Sequence, residues 1–242
     1  MFSLRYSRMS ALKEIGIDGL EILQKSTVSI IGIGATGSSA ADLFVRNGIG
    51  NMRIADPDSV DISNIHRQSL YDEKDVGELK VEAARKRLVS SNKGTSIEVL
   101  PQKINDDNVD RFCKGSSIII DGSDNMETRR VLNSYSVTSG IPWVFTSAIG
   151  TVGQIKLIVP GKTACLQCIN VRFDSPEMRC EDVGVLASAP YITGSLAWTL
   201  AVNYLIRGKL IDEIIYLDAG VPEIVHVKTQ RDHSCQMCGN IP

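Results

Sequence analysis

The sequence predicts an α/β fold with a doubly wound, mostly parallel sheet, and three observations carry that prediction. A β-branched apolar run over 27–32 ends in Gly32-Ile33-Gly34-Ala35-Thr36-Gly37 and passes into helix-like spacing at Ala41, Phe44 and Val45. Apolar runs and amphipathic stretches then alternate through the first two-thirds of the chain, the order that builds parallel sheets through helical crossovers. The composition is that of a globular chain: of 242 residues 43% are hydrophobic and 22% charged, enough for a core that needs no disulfides.

The elements follow in order. The strand over 27–32 feeds a helix over 38–47; a strand over 52–55 ends at Asp56, a helix covers 79–89 and a short strand 97–100. Residues 117–121 read as a strand and 126–136 as a helix, and 142–147 and 154–159 are apolar enough for buried strands. Gly161-Lys162-Thr163 has the tail of a phosphate-binding P-loop, but Lys156 stands where that motif needs glycine, so it reads as a turn. Beyond it come a cysteine-bearing segment, a polar loop over 174–187, an apolar helix over 190–206, and strands over 213–217 and 223–228. The expected architecture is a Rossmann-like sheet with C-terminal strands and a Cys-four zinc site. Residues 1–242 form one expected unit, with a nucleotide-binding core over 1–160 and the crossover loop, metal site and last strands over 161–242.

Charge and hydropathy narrow the partners. The 26 Lys and Arg nearly balance 28 Asp and Glu, a net charge of −2, which gives no electrostatic reason for a nucleic acid or membrane partner. Arg5, Arg8, Lys13 and Glu14 interrupt any signal-like apolar stretch at the start. The helix over 190–206 carries Gly194, Ser195, Thr199 and Asn203 and is too short to span a bilayer, so it is expected to support the core or a dimer. A cytoplasmic, reducing setting follows, in which paired cysteines are metal ligands sooner than disulfides.

The run Gly32-x-Gly34-x-x-Gly37, where a strand enters a helix, lets the backbone approach phosphate groups at a helix N-terminus. Asp56, about 20 residues further on at the end of the second strand, is placed to accept ribose hydroxyls. These two features imply an adenine nucleotide without choosing between NAD, FAD and ATP. The polar set that follows favours ATP: Asp58, Ser63, Asn64, Arg67, Gln68, Lys80, Asp124 and Asn125. Attack of a carboxylate on an α-phosphate expels pyrophosphate, and the developing charge calls for a cationic clamp, here Arg67 and Lys80, and a magnesium-binding carboxylate, here Asp124. Asp58 is placed to assist the metal or the nucleotide, and Asn64 to bond a phosphate or fix the loop. Taken singly, Lys80 or Arg67 reads as a surface charge and Asp124-Asn125 as a helix cap.

As an ensemble these residues resemble the ThiF/MoeB/HesA family, sulfur-carrier adenylyltransferases related to ubiquitin-activating enzymes. The resemblance runs from Arg5-Tyr6-Ser7-Arg8 through the glycine loop, Asp56-x-Asp58, Ser63-Asn64-x-x-Arg67-Gln68, Lys80, Asp124-Asn125-x-x-x-Arg129 and Gly153-Gln154 to two cysteine pairs. It implies activation of the C-terminal Gly-Gly carboxylate of a ubiquitin-like carrier by MgATP. It further implies that Asp56 holds the ribose, that Asn64, Arg67 and Lys80 engage phosphates, and that Asp124 binds magnesium. Arg8 resembles an arginine that reaches across a homodimer to the neighbouring ATP. Ala35 replaces a glycine common in the loop, a position where backbone contact tolerates a methyl group. A nucleotide-binding scaffold without turnover and an NAD-dependent oxidoreductase are the competing readings; the first is opposed by Arg67, Lys80 and Asp124, and the second rests on the glycine loop and Asp56 alone.

The cysteines complete the reading. Cys165-x-x-Cys168 and Cys235-x-x-Cys238 have the spacing of a tetrahedral zinc site, with two disulfides, or one pair plus His233, as alternatives. Four thiolates fill the coordination shell, so the zinc is structural. Cys180, alone in the polar loop beside Arg179, matches a family cysteine used for a thioester, persulfide or disulfide with the carrier, a role separate from adenylation. Cys113 reads as a packing residue, His66 as positional, and His226 and His233 as ordinary surface or packing residues. With Cys238 so near Pro242, sulfur delivery is expected from a separate sulfurtransferase or cysteine desulfurase.

Overall fold

Alternation along the central strands sorts their side chains between two cores. In β1 (Thr27–Ile31), Ile30 serves one core and Ile31 the other; in β4 (Ile118–Asp121), Ile118 and Ile120 oppose Ile119; in β5 (Trp143–Ile149), Val144 opposes Trp143 and Phe145. Strands buried on both faces read as continuous apolar runs, as a sheet covered by helices on both sides requires. The structure, a computed structural model, describes residues 4–169 and 183–241. One core holds side chains from α2 (Gly16–Lys25), α3 (Ala35–Arg46), α4 (Lys80–Ser91) and the long α7 (Ser188–Arg207). The other holds those from α5 (Val109–Cys113), α6 (Met126–Ser139) and the cysteine-bearing segments. A single turn, α1 (Ser7–Ser10), follows the buried Tyr6, whose hydroxyl accepts a hydrogen bond from Asn92 Nδ2.

With β2 (Asn51–Ala55), β3 (Ser96–Leu100), β6 (Val152–Ile158), β7 (Glu213–Asp218) and β8 (Glu223–Lys228), the described strands form one sheet in the order β3-β2-β1-β4-β5-β6-β7-β8. Neighbours from β3 to β5 are parallel and those from β5 to β8 antiparallel. The chain leaves β1 toward β2 on one side and returns to β4 on the other, so the strand order reverses between β1 and β4. That switch point opens a crevice at the carboxyl ends of the strands.

The structure differs from the sequence expectation where the alternation ends and in the helices α1, α2 and α5, which it adds. Alternation of strand and helix stops at β5, because only Gly150 and Thr151 separate it from β6, too few residues for a crossover, and a hairpin forms instead. Helix α2 is an addition: it buries Leu20 and Leu23 but leaves Ile17 and Ile22 exposed, which blurs its apolar stripe. The apolar helix expected over 190–206 is α7 and supports the core. It packs so tightly on α3 that a Cβ at Gly194 would lie 1.9 Å from Ser39 Oγ and 2.6 Å from the Thr36 carbonyl. Among the described residues no helix is long and apolar enough to cross a membrane. The expected turn at Gly161 is present, with Thr163 Oγ1 accepting from Val159 N at 2.8 Å.

Candidate active site and metal centre

The glycine loop lies at the carboxyl end of β1 and becomes the N-terminus of α3. Gly32 has φ +88°, and a Cβ on Gly37 would fall 2.0 Å from the Gly32 carbonyl oxygen, so the turn closes only with hydrogen at that point. Gly122, at the end of β4, packs against the same two glycines. Gly34 differs: an added Cβ would meet nothing nearer than Gln68 Nε2 at 3.8 Å, so open space lies above it. Ala35 is the first residue of α3, half-buried, and its methyl group sits on ordinary helical backbone.

The carboxyl end of β2 supplies the acid. Asp56 is buried, and its two oxygens accept Ile33 N at 2.8 Å and Asp58 N at 2.9 Å, which joins the second strand to the glycine loop. Burial pushes its carboxyl above the usual range, while the Lys80 ammonium opposes the shift. Lys80 is not a surface charge. Only 9% of its side chain is exposed, its Nζ lies 2.8 Å from Asp58 Oδ2, and it is the first residue of α4. A cation at a helix N-terminus adds to the positive end of the dipole, an arrangement that favours a bound anion over the free protein.

The next segment folds back on the loop. Asp61 caps a 3₁₀ turn over Ile62–Asn64, and Asn64 completes the box by accepting Asp61 N at 3.3 Å. Asn64 is thereby tied into the loop through its side-chain oxygen. Ser63 is exposed, and its carbonyl takes Arg67 Nη1 at 2.7 Å; His66 Nε2 lies 2.9 Å from the same nitrogen and positions the guanidinium. Gln68 is buried, and its Oε1 has no partner among the described residues, an orphaned acceptor beside Gly34. Tyr71, a residue without a motif to signal it, donates its hydroxyl to the Ile33 carbonyl at 2.8 Å.

The third wall is the turn from β4 into α6. Asp121 is fully buried and accepts Ser123 N and Oγ on one oxygen and Arg129 Nε at 3.2 Å on the other. Arg129 also donates to the Ser123 and Thr146 carbonyls and lies over the Phe145 ring, so it locks the turn that presents Asp124. Asp124 is exposed and has no hydrogen-bond or ion-pair partner among the described residues, which leaves a hard carboxylate oxygen suited to magnesium. Asn125 caps α6, its Oδ1 accepting Thr128 N at 2.9 Å. Arg8 stands exposed on α1, and Arg5 donates to the Ser91 carbonyl.

The four motif cysteines form one cluster, with all sulfurs within 4.8 Å of one another. Cys165 Sγ lies 3.7 Å from Cys168 Sγ and 3.8 Å from Cys235 Sγ, and Cys168 Sγ lies 3.3 Å from Cys238 Sγ. Tetrahedral zinc with sulfurs at about 2.3 Å sets them about 3.8 Å apart, whereas a disulfide needs about 2 Å, so this donor set fits zinc. Arg231 locks the cluster from outside, donating to the carbonyls of Gly161 and Cys238 at 2.8 Å. Cys113 is buried, and burial pushes its thiol up to about 12, which suits a packing residue. His226 pairs with Glu213 and His233 is exposed. Cys180 lies outside the described residues.

The chain is similar to a group of known proteins. The sequence profile of the ThiF family matches residues 6–237. The sulfur carrier protein ThiS adenylyltransferase of Bacillus subtilis is 36% identical over 187 residues, 76% of this chain and 56% of that protein, so the match spans little more than half of that relative. The molybdopterin-synthase adenylyltransferase of Salmonella typhimurium is 29% identical over 98% of this chain and 96% of its own length, and the sulfur carrier protein adenylyltransferase of Thermus thermophilus is 30% identical over 98% and 91%. Among solved structures, E. coli MccB superposes with a TM-score of 0.87 at 22% identity, over 98% of this chain and 76% of that one, a likeness of fold. The chain belongs to the ThiF family and is an adenylyltransferase of the ubiquitin-activating-enzyme-like type.

Proposed function

We propose that this adenylyltransferase activates the C-terminal Gly-Gly carboxylate of a ubiquitin-like sulfur-carrier protein with MgATP. One observation carries the reading: the glycine loop, Asp56, Lys80 and the Asp124 turn converge on the carboxyl ends of β1, β2 and β4. A carboxylate oxygen of the carrier tail forms a bond to the α-phosphorus, the bond from that phosphorus to the bridging oxygen breaks, and pyrophosphate leaves with its electron pair. The product is an acyl-adenylate ready for thiocarboxylation or transfer.

The residues divide the work by chemistry. Asp56 accepts ribose hydroxyls, and the start of α3 at Gly34 and Ala35 offers amides to the phosphates. Arg67 keeps guanidinium donors beyond those held by Ser63 and His66, and with Lys80 it neutralises charge on the leaving pyrophosphate. Ser63, Asn64, Gln68 and Asn125 shape the nucleotide pocket, and Asp58 orients Lys80. Asp124 would hold magnesium, which when bound would neutralise charge on the phosphate oxygens. The four cysteines would hold zinc, which would tie the crossover region to the C-terminus, and their four thiolates would leave it no open position for chemistry. In a homodimer Arg8 reaches the partner's nucleotide, and Cys180 acts after adenylation, with sulfur brought by a separate sulfurtransferase or cysteine desulfurase. Residues 1–242 work as one unit in the cytoplasm.

Carrier-dependent exchange of pyrophosphate into ATP tests the reading, with Gly-Gly-tailed ubiquitin-like proteins from the same organism, tail-truncated versions and Lys80→Met as controls. Exchange that needs both the intact tail and Lys80 supports it. Exchange indifferent to the tail, or silence across the panel despite ATP binding, overturns it.

A further inference from the structure

The peptide between Ile33 and Gly34 is gripped by two hydroxyls. Tyr71 donates to the Ile33 carbonyl at 2.8 Å and Ser38 Oγ donates to the same oxygen at 3.0 Å; all three residues are buried. The preceding amide is fixed as well, since Ile33 N donates to Asp56 Oδ2 at 2.8 Å. No peptide bond among the described residues is cis, and in a trans peptide the carbonyl and the following N–H point in opposite directions. A carbonyl held inward therefore turns the Gly34 N–H outward. That N–H has no acceptor among the described residues, and the space above Gly34 is open.

Glycine makes this grip necessary. Turning the peptide over would carry the φ of Gly34 from −72° into the positive range, which glycine tolerates and other residues resist. The flipped loop would aim a carbonyl dipole at an anion. Two buried hydroxyls bias the choice: they lie within hydrogen-bonding reach of each other, so a flip would still leave at least one of them without an acceptor. Burial also pushes the Tyr71 phenol far above its ordinary range, so it stays a neutral donor at any working pH.

We propose that Tyr71 and Ser38 are positioning residues that hold the Gly34 N–H outward as a preorganised donor to the α-phosphate of the nucleotide. The inference rests on the adenylation reading above. It names the α-phosphate because Gly34 adjoins Ile33, whose amide is bonded to the carboxylate placed for the ribose, and the α-phosphate is the phosphate joined to that sugar. Neither residue touches the nucleotide; both act through one peptide plane.

Calorimetric titration of the full chain with AMP and with adenosine separates the phosphate contribution from the nucleoside contribution. The wild type is expected to prefer AMP. Tyr71→Phe, which keeps the ring in place, is expected to reduce that preference about fivefold to tenfold while adenosine affinity holds, since the one neutral hydrogen bond it removes from the grip carries roughly that weight. Ser38→Ala shifts the preference the same way by a smaller factor and keeps the test open should the tyrosine variant fold poorly. An unchanged preference in both single variants and in the double variant overturns the inference. So does equal weakening of AMP and adenosine, the mark of a merely structural role. A wild type that binds adenosine as tightly as AMP defeats the nucleotide reading itself and takes the inference with it.

Discussion

Lys156 and Asp212 form an ion pair beside the cysteine cluster, with Nζ 2.8 Å from Oδ1 and the lysine side chain 0% exposed. The same Asp212 oxygen accepts Ala164 N at 3.1 Å, next to Cys165, and the Thr229 hydroxyl at 2.6 Å. Thr229 in turn accepts from Lys156 at 2.7 Å and begins the segment that carries Cys235 and Cys238. One buried ammonium thus joins both chain segments that bring the four cysteines together. Burial pulls the lysine below its ordinary range and Asp212 opposes that pull, so the pair stands because it is hydrogen-bonded throughout.

Lys156→Met is expected to destabilise the protein by about 2–3 kcal/mol, less than a fully enclosed pair would cost because Asp212 is partly exposed. Zinc should pass more quickly to a chromogenic chelator, and Lys156→Met/Asp212→Asn should recover part of both losses by removing the unpaired charge. Denaturant midpoints and chelator kinetics check this. Release at the wild-type rate from the single variant would show that the pair does not brace the cluster.

Two glycines of one motif should respond in opposite ways. Gly37→Ala puts a methyl group 2.0 Å from the Gly32 carbonyl, so the loop must shift, and a loss of about 1–3 kcal/mol is expected from overpacking. Gly34→Ala meets no neighbour within 3.4 Å and fits a negative φ, so stability should stay within about 0.5 kcal/mol of wild type. Its methyl group enters the space above the loop, and nucleotide affinity should fall. Thermal denaturation read beside ATP titration separates the two, and equal destabilisation would contradict the loop geometry.

The contrast shows what the residues disclose before folding. β1 and β4 are legible because strands buried on both faces are largely apolar, β2 because Met52, Ile54 and Ala55 lead to Asp56, and the glycine spacing marks their shared end. Lys80 is legible only through its company: alone it reads as a solvated charge, and its burial follows from Asp58, 22 residues away. Tyr71 gives no sign at all, since its contact with Ile33 spans 38 residues and belongs to no local pattern. Lys156 sits where an alternating strand would place a solvent-facing residue, and only the pairing of β6 with its neighbours and the position of Asp212 enclose it. The cysteine pairs announce a metal by spacing, but Arg231 and the Lys156 network that brace them are tertiary facts.

Metal removal should be felt throughout the second core. Cys165, Cys235 and Cys238 pack with Trp143 and Phe145, and the pairs are separated by 70 residues, so zinc on the four sulfurs would close a long loop. Chelation under reducing conditions is expected to lower the thermal midpoint by several degrees and to release about one zinc per chain, with Cys235→Ser doing the same. Unchanged stability after complete zinc loss would mean that packing alone holds the segment.

Chemistry and fold should part company at Lys80 and Asp124. Lys80→Met preserves the buried stem and removes the charge, while Asp124→Ala removes an exposed carboxylate that braces nothing among the described residues. Both are expected to cut acyl-adenylate formation at least about a hundredfold, with zinc content and thermal midpoint near wild type. Raising magnesium should rescue Asp124→Ala in part, because a weakened metal site fills at higher concentration, and should leave Lys80→Met unrescued. Cys180→Ala provides the contrast: adenylation proceeds and only later transfer suffers. Near-normal adenylation by Asp124→Ala would remove it as the magnesium ligand, and loss of adenylation in Cys180→Ala would join the two steps that the chemistry holds apart.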